Sequence, residues 1–140
     1  MHTTTTAATI GRRAGAGRRG ESMKVDAVLP GVGRVWVADF GSDGPWGRFA
    51  VQLDLISASR LSLAVTHGKS WGDVMTVDYT AVEVGPRLFI VRWAEPEMGT
   101  CVTHFQDWNT SAVLASVAAG NGQFVQLLGT LTEAQLRSPR

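Results

Sequence analysis

A chain of 140 residues with 44% apolar and 18% charged side chains has the size and composition of one globular domain with a single core, which argues against a multidomain or largely disordered protein. Its formal charge of +1 is uneven: residues 1–22 carry four arginines against one glutamate, a net +3, and the remainder nets −2, so the folded part has no nucleic-acid footprint. The lone Cys101 forbids an intrachain disulfide and reads as a small core residue; no run reaches the roughly 20 apolar residues a bilayer-spanning helix needs, so a cytoplasmic protein with no membrane partner is expected.

Residues 1–22 lack apolar periodicity and read as a disordered basic tail, upstream of a candidate true start at Met23. The paired Arg12-Arg13 is not followed by the apolar stretch that an export signal requires. Residues 23–33 form a lead-in in which Gly31-Val32-Gly33 reads as a turn. From Arg34 onward, short runs of period-two alternation are separated by Gly, Pro, Asp, Asn or Ser, which predicts strands over Arg34–Phe40, Arg48–Leu55, Arg60–Thr66, Val74–Val84, Leu88–Glu95, Thr100–Asp107, Ala112–Ala118 and Phe124–Leu131. In the second, Phe49, Val51, Leu53 and Leu55 face one way and Arg48, Ala50, Gln52 and Asp54 the other. Only Ser111–Ala119 has a pattern that a helix would also satisfy.

The connections Gly85-Pro86-Arg87, Pro96-Glu97-Met98-Gly99, Trp108-Asn109-Thr110 and Gly120-Asn121-Gly122 are of hairpin length, so consecutive strands pair. The expected fold is all-β: a single antiparallel up-and-down eight-stranded barrel over residues 34–132, with a short tail over 133–140. Closure removes both exposed sheet edges, and a barrel of about eight strands has an interior that side chains fill or that holds one small ligand.

Candidate chemistry centres on Leu88–Glu95. Alternation puts Phe89, Val91, Trp93 and Glu95 on one face, so the carboxylate either escapes at the strand end or works in a pocket, where lost hydration would raise its pKa and suit it to proton exchange. His104 shares a side with Trp93 if the loop Pro96–Gly99 pairs Glu95 with Thr100, and lies opposite if Glu95 pairs with Cys101; spacing leaves both open. Tyr79, the only tyrosine, shares the face of Met75, Val77 and Ala81 and needs a partner for its hydroxyl, either a ligand or the backbone. Trp36, Phe40, Trp71 and Trp93 either line a cavity suited to a planar ligand or fill the core. His2, His67 and His104 have no second ligand at metal spacing, and phosphate loops, dinucleotide fingerprints and nucleophile elbows are missing, so no metal or cofactor is expected.

Four segments also carry a family resemblance: Val77-Asp78-Tyr79-Thr80-Ala81-Val82, Leu88-Phe89-Ile90-Val91-Arg92-Trp93-Ala94-Glu95, Gly99-Thr100 with Val102-Thr103-His104-Phe105-Gln106-Asp107, and Gln123-Phe124-Val125-Gln126-Leu127-Leu128-Gly129-Thr130-Leu131. In order and spacing they resemble the MoaF-related domains, lipocalin-like small barrels of the calycin type. The resemblance places His104 at a matching position, where it would serve as a second proton carrier. Trp93-x-Glu95-Pro96 followed by Gly99-Thr100 is more distantly similar to phenolic acid decarboxylases, which implies a catalytic role for Glu95. The tyrosine pair of that family is replaced here by Ala38 and Phe40, and its arginine before a tryptophan is absent at Trp71-Gly72-Asp73, so that reaction is not expected.

The leading expectation is a barrel that binds one small hydrophobic or aromatic molecule, with Glu95 as polar anchor and Trp36, Phe40, Trp71, Tyr79 and Trp93 around it. An alternative is a cofactor-free lyase, isomerase or cyclase in which Glu95 moves a proton and Tyr79 or His104 assists. A structural or interaction barrel with a filled core is the third, and a homodimer is compatible with each.

Overall fold

The computed structural model describes residues 23–135, so the expected tail over 1–22 lies outside the described residues. Eight strands follow in chain order: β1 (Val35–Asp39), β2 (Ala50–Leu55), β3 (Arg60–His67), β4 (Val74–Gly85), β5 (Leu88–Glu95), β6 (Thr100–Asp107), β7 (Ala112–Ala119) and β8 (Phe124–Glu133). Each pairs antiparallel with the next, and β1 pairs with β8, which closes the barrel. Among the described residues no helix is long and apolar enough to cross a membrane.

Alternation produces the inside and the outside. Leu61, Leu63 and Val65 of β3, Val77, Tyr79 and Ala81 of β4, and Phe89, Val91 and Trp93 of β5 are buried, while the residues between them are exposed or half-buried. Within segment 111–119, Ala112–Ala119 is strand: β7 pairs with β6 along its whole length and with β8 over Ala112–Ala118, so Val113 and Ala115 are buried while Leu114 and Ala118 remain exposed. Tertiary pairing thus overrides the helical pattern. Cys101 is exposed, contrary to the core reading, because it pairs with Ala94 on the outer parity, opposite to Trp93 and Val102. β8 runs one residue past the expected end of the barrel because Glu133 pairs with Trp36.

The two ends of the barrel differ. At one end the lead-in crosses the base: Lys24 and Glu83 exchange backbone hydrogen bonds of 2.9 Å, Ala27 N–H donates to Ala81 at 2.9 Å, and Gly33 N–H donates to Leu55 at 2.8 Å. That path drops Leu29 into the core at 2% exposure. Trp36 Nε1–H donates to the Gly31 carbonyl at 2.9 Å, and its indole meets Trp108 edge to face, with centroids 4.8 Å apart. Gly31 has no alternative here, since a Cβ would run into the Trp36 indole. The other end is rimmed by the loops after β1, β3, β5 and β7, of which the first, residues 40–49, is the longest. The Asp39 carboxylate accepts from Arg48 at 2.7 and 3.2 Å and from Gly41 N–H at 2.9 Å, bracing both sides of that loop. The Arg48 hydrogen bonds, then that of Gly41, hold the Asp39 carboxyl below the usual 3.8.

Leu29 tests whether the lead-in belongs to the fold. Leu29→Ala removes a buried side chain from a plug that cannot fully collapse, and a loss of about 2–5 kcal/mol in urea unfolding is expected; an unchanged midpoint would make residues 23–33 dispensable.

Candidate functional site

Between the plug and the open end lies a cavity of about 510 Å³. Its walls are mainly apolar and aromatic, including Phe40, Leu53, Leu63, Trp93, Val102 and Val117, with Trp46, Phe49 and Met98 toward the mouth. Polar groups are few: Glu95, Thr100 and His104 come from β5 and β6, and Lys69, Ser70, Asp73 and Gln123 from the rim. A concave apolar space of this size with a few converging polar groups is the usual form of a small-molecule site.

The β5–β6 register settles the face of His104. Glu95 pairs with Thr100, Trp93 with Val102 and Val91 with His104, so the imidazole points inward, on the side of Trp93. Glu95 and His104 both line the cavity, yet four residues of strand, on the order of 13 Å, separate their rows. Glu95 stands near the mouth, half-buried, with Oε2 accepting from Trp93 Nε1–H at 2.9 Å and Oε1 from the Thr100 hydroxyl at 2.8 Å. Trp93 is the wedge between the two polar groups, because the same indole meets the His104 ring edge to face at 4.8 Å. Phe40 approaches that ring from another side, with centroids 6.2 Å apart.

His104 is 4% exposed. Burial in this aromatic box disfavours the charged ring and lowers its pKa from 6.5 to about 4, so it is an uncharged imidazole at neutral pH. Its Nδ1 is bonded to Gln106 at 3.1 Å, and Gln106 in turn accepts from Trp108 Nε1–H at 3.0 Å. Gln106 and Trp108 were not singled out from sequence, although Gln106 has the same inward parity as His104 and is 2% exposed.

Three expected cavity residues lie elsewhere. Tyr79 is buried outside the cavity lining, its hydroxyl donating to the Ser57 carbonyl of the loop after β2 at 2.6 Å, and loss of hydration pushes its pKa up to about 12. Trp36 is part of the plug, with its N–H held by Gly31 and its ring by Trp108. Trp71 is on the loop after β3, where no strand alternation fixes it, and is 72% exposed. Phe40 and Trp93 do line the cavity. The cavity itself removes the premise of a filled core. Among the described residues no group of three or more His, Cys, Asp and Glu is arranged to hold a metal ion.

Two comparisons with known proteins bear on the fold. The family model described as MoaF-like matches residues 37–132. The structure is similar to a crystal structure described as "a putative beta-lactamase from Burkholderia vietnamiensis", with a TM-score of 0.66 and 18% identity over 77% of this chain and 99% of that one. At that identity the likeness is one of fold. No curated protein matches.

The buried imidazole makes stability depend on pH in a defined window. The unfolded chain binds this proton near 6.5 and the folded chain only near 4, so the contribution is fully present above about 6.5 and is lost as pH falls toward 4. Wild type is expected to lose about 3 kcal/mol more than His104→Gln across that window, measured by urea unfolding; parallel profiles would mean that the ring already titrates normally in the fold.

Proposed function

We propose that this chain, which belongs to the MoaF-like family, is a receptor for one small hydrophobic or aromatic molecule, held in the barrel interior with Glu95 as its polar contact at the mouth. The observation that carries the reading is the cavity of about 510 Å³, walled by apolar and aromatic side chains and closed at one end by the lead-in. Both Glu95 oxygens already accept from the protein, which fixes the carboxylate in place; each has a lone pair left for a ligand hydroxyl or N–H.

A second reading uses the same carboxylate as the general base of a cofactor-free lyase, isomerase or cyclase. What favours it is the half-buried position of Glu95 beside the Trp93 indole, in contact with the cavity. A relay from Glu95 to His104 is not part of it, since Trp93 stands between them and four residues of strand separate their rows. Tyr79 has no role in it either, being committed to Ser57.

A thermal-shift screen of small aromatic acids and of polyene and polyketide-like compounds is the first test, with a rise in Tm expected for compounds that bind the native barrel. Val117→Trp, which puts an indole into the cavity from β7, is expected to abolish that rise while the barrel still unfolds cooperatively. A Tm rise unchanged in that variant would place the ligand outside the barrel.

Glu95→Gln separates the two readings. The amide oxygen can still accept from Trp93, and its NH2 can donate to the Thr100 hydroxyl, so the site geometry survives. A receptor keeps its affinity to within about tenfold, whereas a proton-transfer enzyme loses turnover without a comparable loss of binding. Full turnover in Glu95→Gln would overturn the enzymatic reading.

A further inference from the structure

The run from Trp108 to His104 is a polar thread through an otherwise apolar interior, and donor chemistry fixes its direction. An indole Nε1–H can only donate, so the Gln106 oxygen faces Trp108 at 3.0 Å and the amide NH2 faces His104. That NH2 can only donate, so the Nδ1 it meets at 3.1 Å must accept. The ring proton is therefore on Nε2. Edge-to-face packing of Trp36 on Trp108, and the bond from Trp36 to Gly31, anchor the thread in the plug.

Nε2–H has no partner within the protein among the described residues, while the ring is 4% exposed and lines the cavity. Among those residues no side-chain nitrogen or oxygen sealed from solvent-sized space lacks a partner, so Nε2 opens onto the cavity. The barrel thus presents one oriented donor at depth. Four residues of strand separate its row from that of Glu95 at the mouth.

We propose, resting on the receptor reading, that the ligand is a neutral carbonyl compound whose oxygen accepts from His104 Nε2–H at the inner end of the cavity, and that Gln106 and Trp108 are positioning residues that hold the ring in this tautomer. A carboxylate is disfavoured because the imidazole there carries no charge to offset the cost of desolvating it. A hydroxyl would bring a second proton, and the cavity-lining neighbours of His104, namely Phe40, Trp93 and Ala115, offer it no acceptor. A carbonyl oxygen only accepts, and an aromatic or aliphatic body behind it matches the walls. A donor group at the far end of the ligand would meet Glu95.

The test uses the whole chain and three probes of one shape: 2-acetylnaphthalene, 2-isopropenylnaphthalene, in which CH2 replaces the carbonyl oxygen, and 2-naphthoate. Affinities are read by quenching of tryptophan fluorescence, and the tautomer of His104 by nitrogen-15 NMR of the unliganded protein at pH 7. The ketone is expected to bind about tenfold tighter than the alkene in wild type, with that ratio abolished in His104→Phe and reduced in Gln106→Met while alkene affinity is retained. NMR is expected to show the Nε2-protonated ring in wild type and a mixture of tautomers in Gln106→Met. Equal binding of ketone and alkene, tightest binding of the naphthoate, or an Nδ1-protonated ring would overturn the proposal and leave the receptor reading standing. Failure of all three probes to bind, with the Nε2-protonated ring present, would overturn the receptor reading and the proposal with it.

Discussion

Without the ladder between Trp36–Asp39 of β1 and Thr130–Glu133 of β8, the inward side chains of all eight strands would line one face of an open, twisted sheet. That ladder is tight at its far end. Gly129 of β8 has no room for a side chain, because a Cβ there would strike the Asp39 carbonyl and crowd Phe40. The absence of one side chain on β8 therefore lets the end of β1 approach closely enough to seal the seam and carry Phe40 into the cavity wall. Closure also leaves no pair of unbonded strand edges to template aggregation.

Closure alone would give a filled interior as readily as a hollow one. What distinguishes this barrel is how its large side chains are distributed along the axis. Trp36, Trp108, Tyr79 and Leu29 crowd one end, whereas Ala115, Val117 and Ala119 of β7 leave space toward the other. Polar groups follow the same axis, with a neutral imidazole at depth and a carboxylate near the mouth. Trp93 insulates one from the other while bonding to the carboxylate and touching the imidazole, so the two act on different parts of whatever fills the space between.

Alternation made the strands and their faces legible in the sequence, because the inside-outside rule is local and has a period of two. It said nothing of height along the barrel axis, which depends on the stagger between strands distant in sequence. Tyr79 and Trp36 have the inward parity expected of them, but stand at the closed end, where their polar atoms meet Ser57 and Gly31. Trp71 was harder still, since a loop residue has no periodicity to read. The lead-in was opaque for a related reason: its partners Glu83, Ala81 and Leu55 are far along the chain, and its apolar Leu29 follows no repeat. Glu95 and His104 were legible as candidates, and the loop after Glu95 decided their common face. Gln106 has the same inward parity as His104 and is legible by the same rule, although an amide carries no titration to mark it as a candidate.

The plug has a consequence for how the molecule can be handled. Lys24 is bonded beside the β4–β5 turn, and Ala134 N–H donates to Val35 at the start of β1, so the described chain both begins and ends at the closed end. The mouth points the opposite way. A tether or label attached at Lys24 or beside Ala134 would sit on the floor of the vessel and leave its opening facing solution, so a barrel immobilised through those positions would offer its mouth to compounds flowing past.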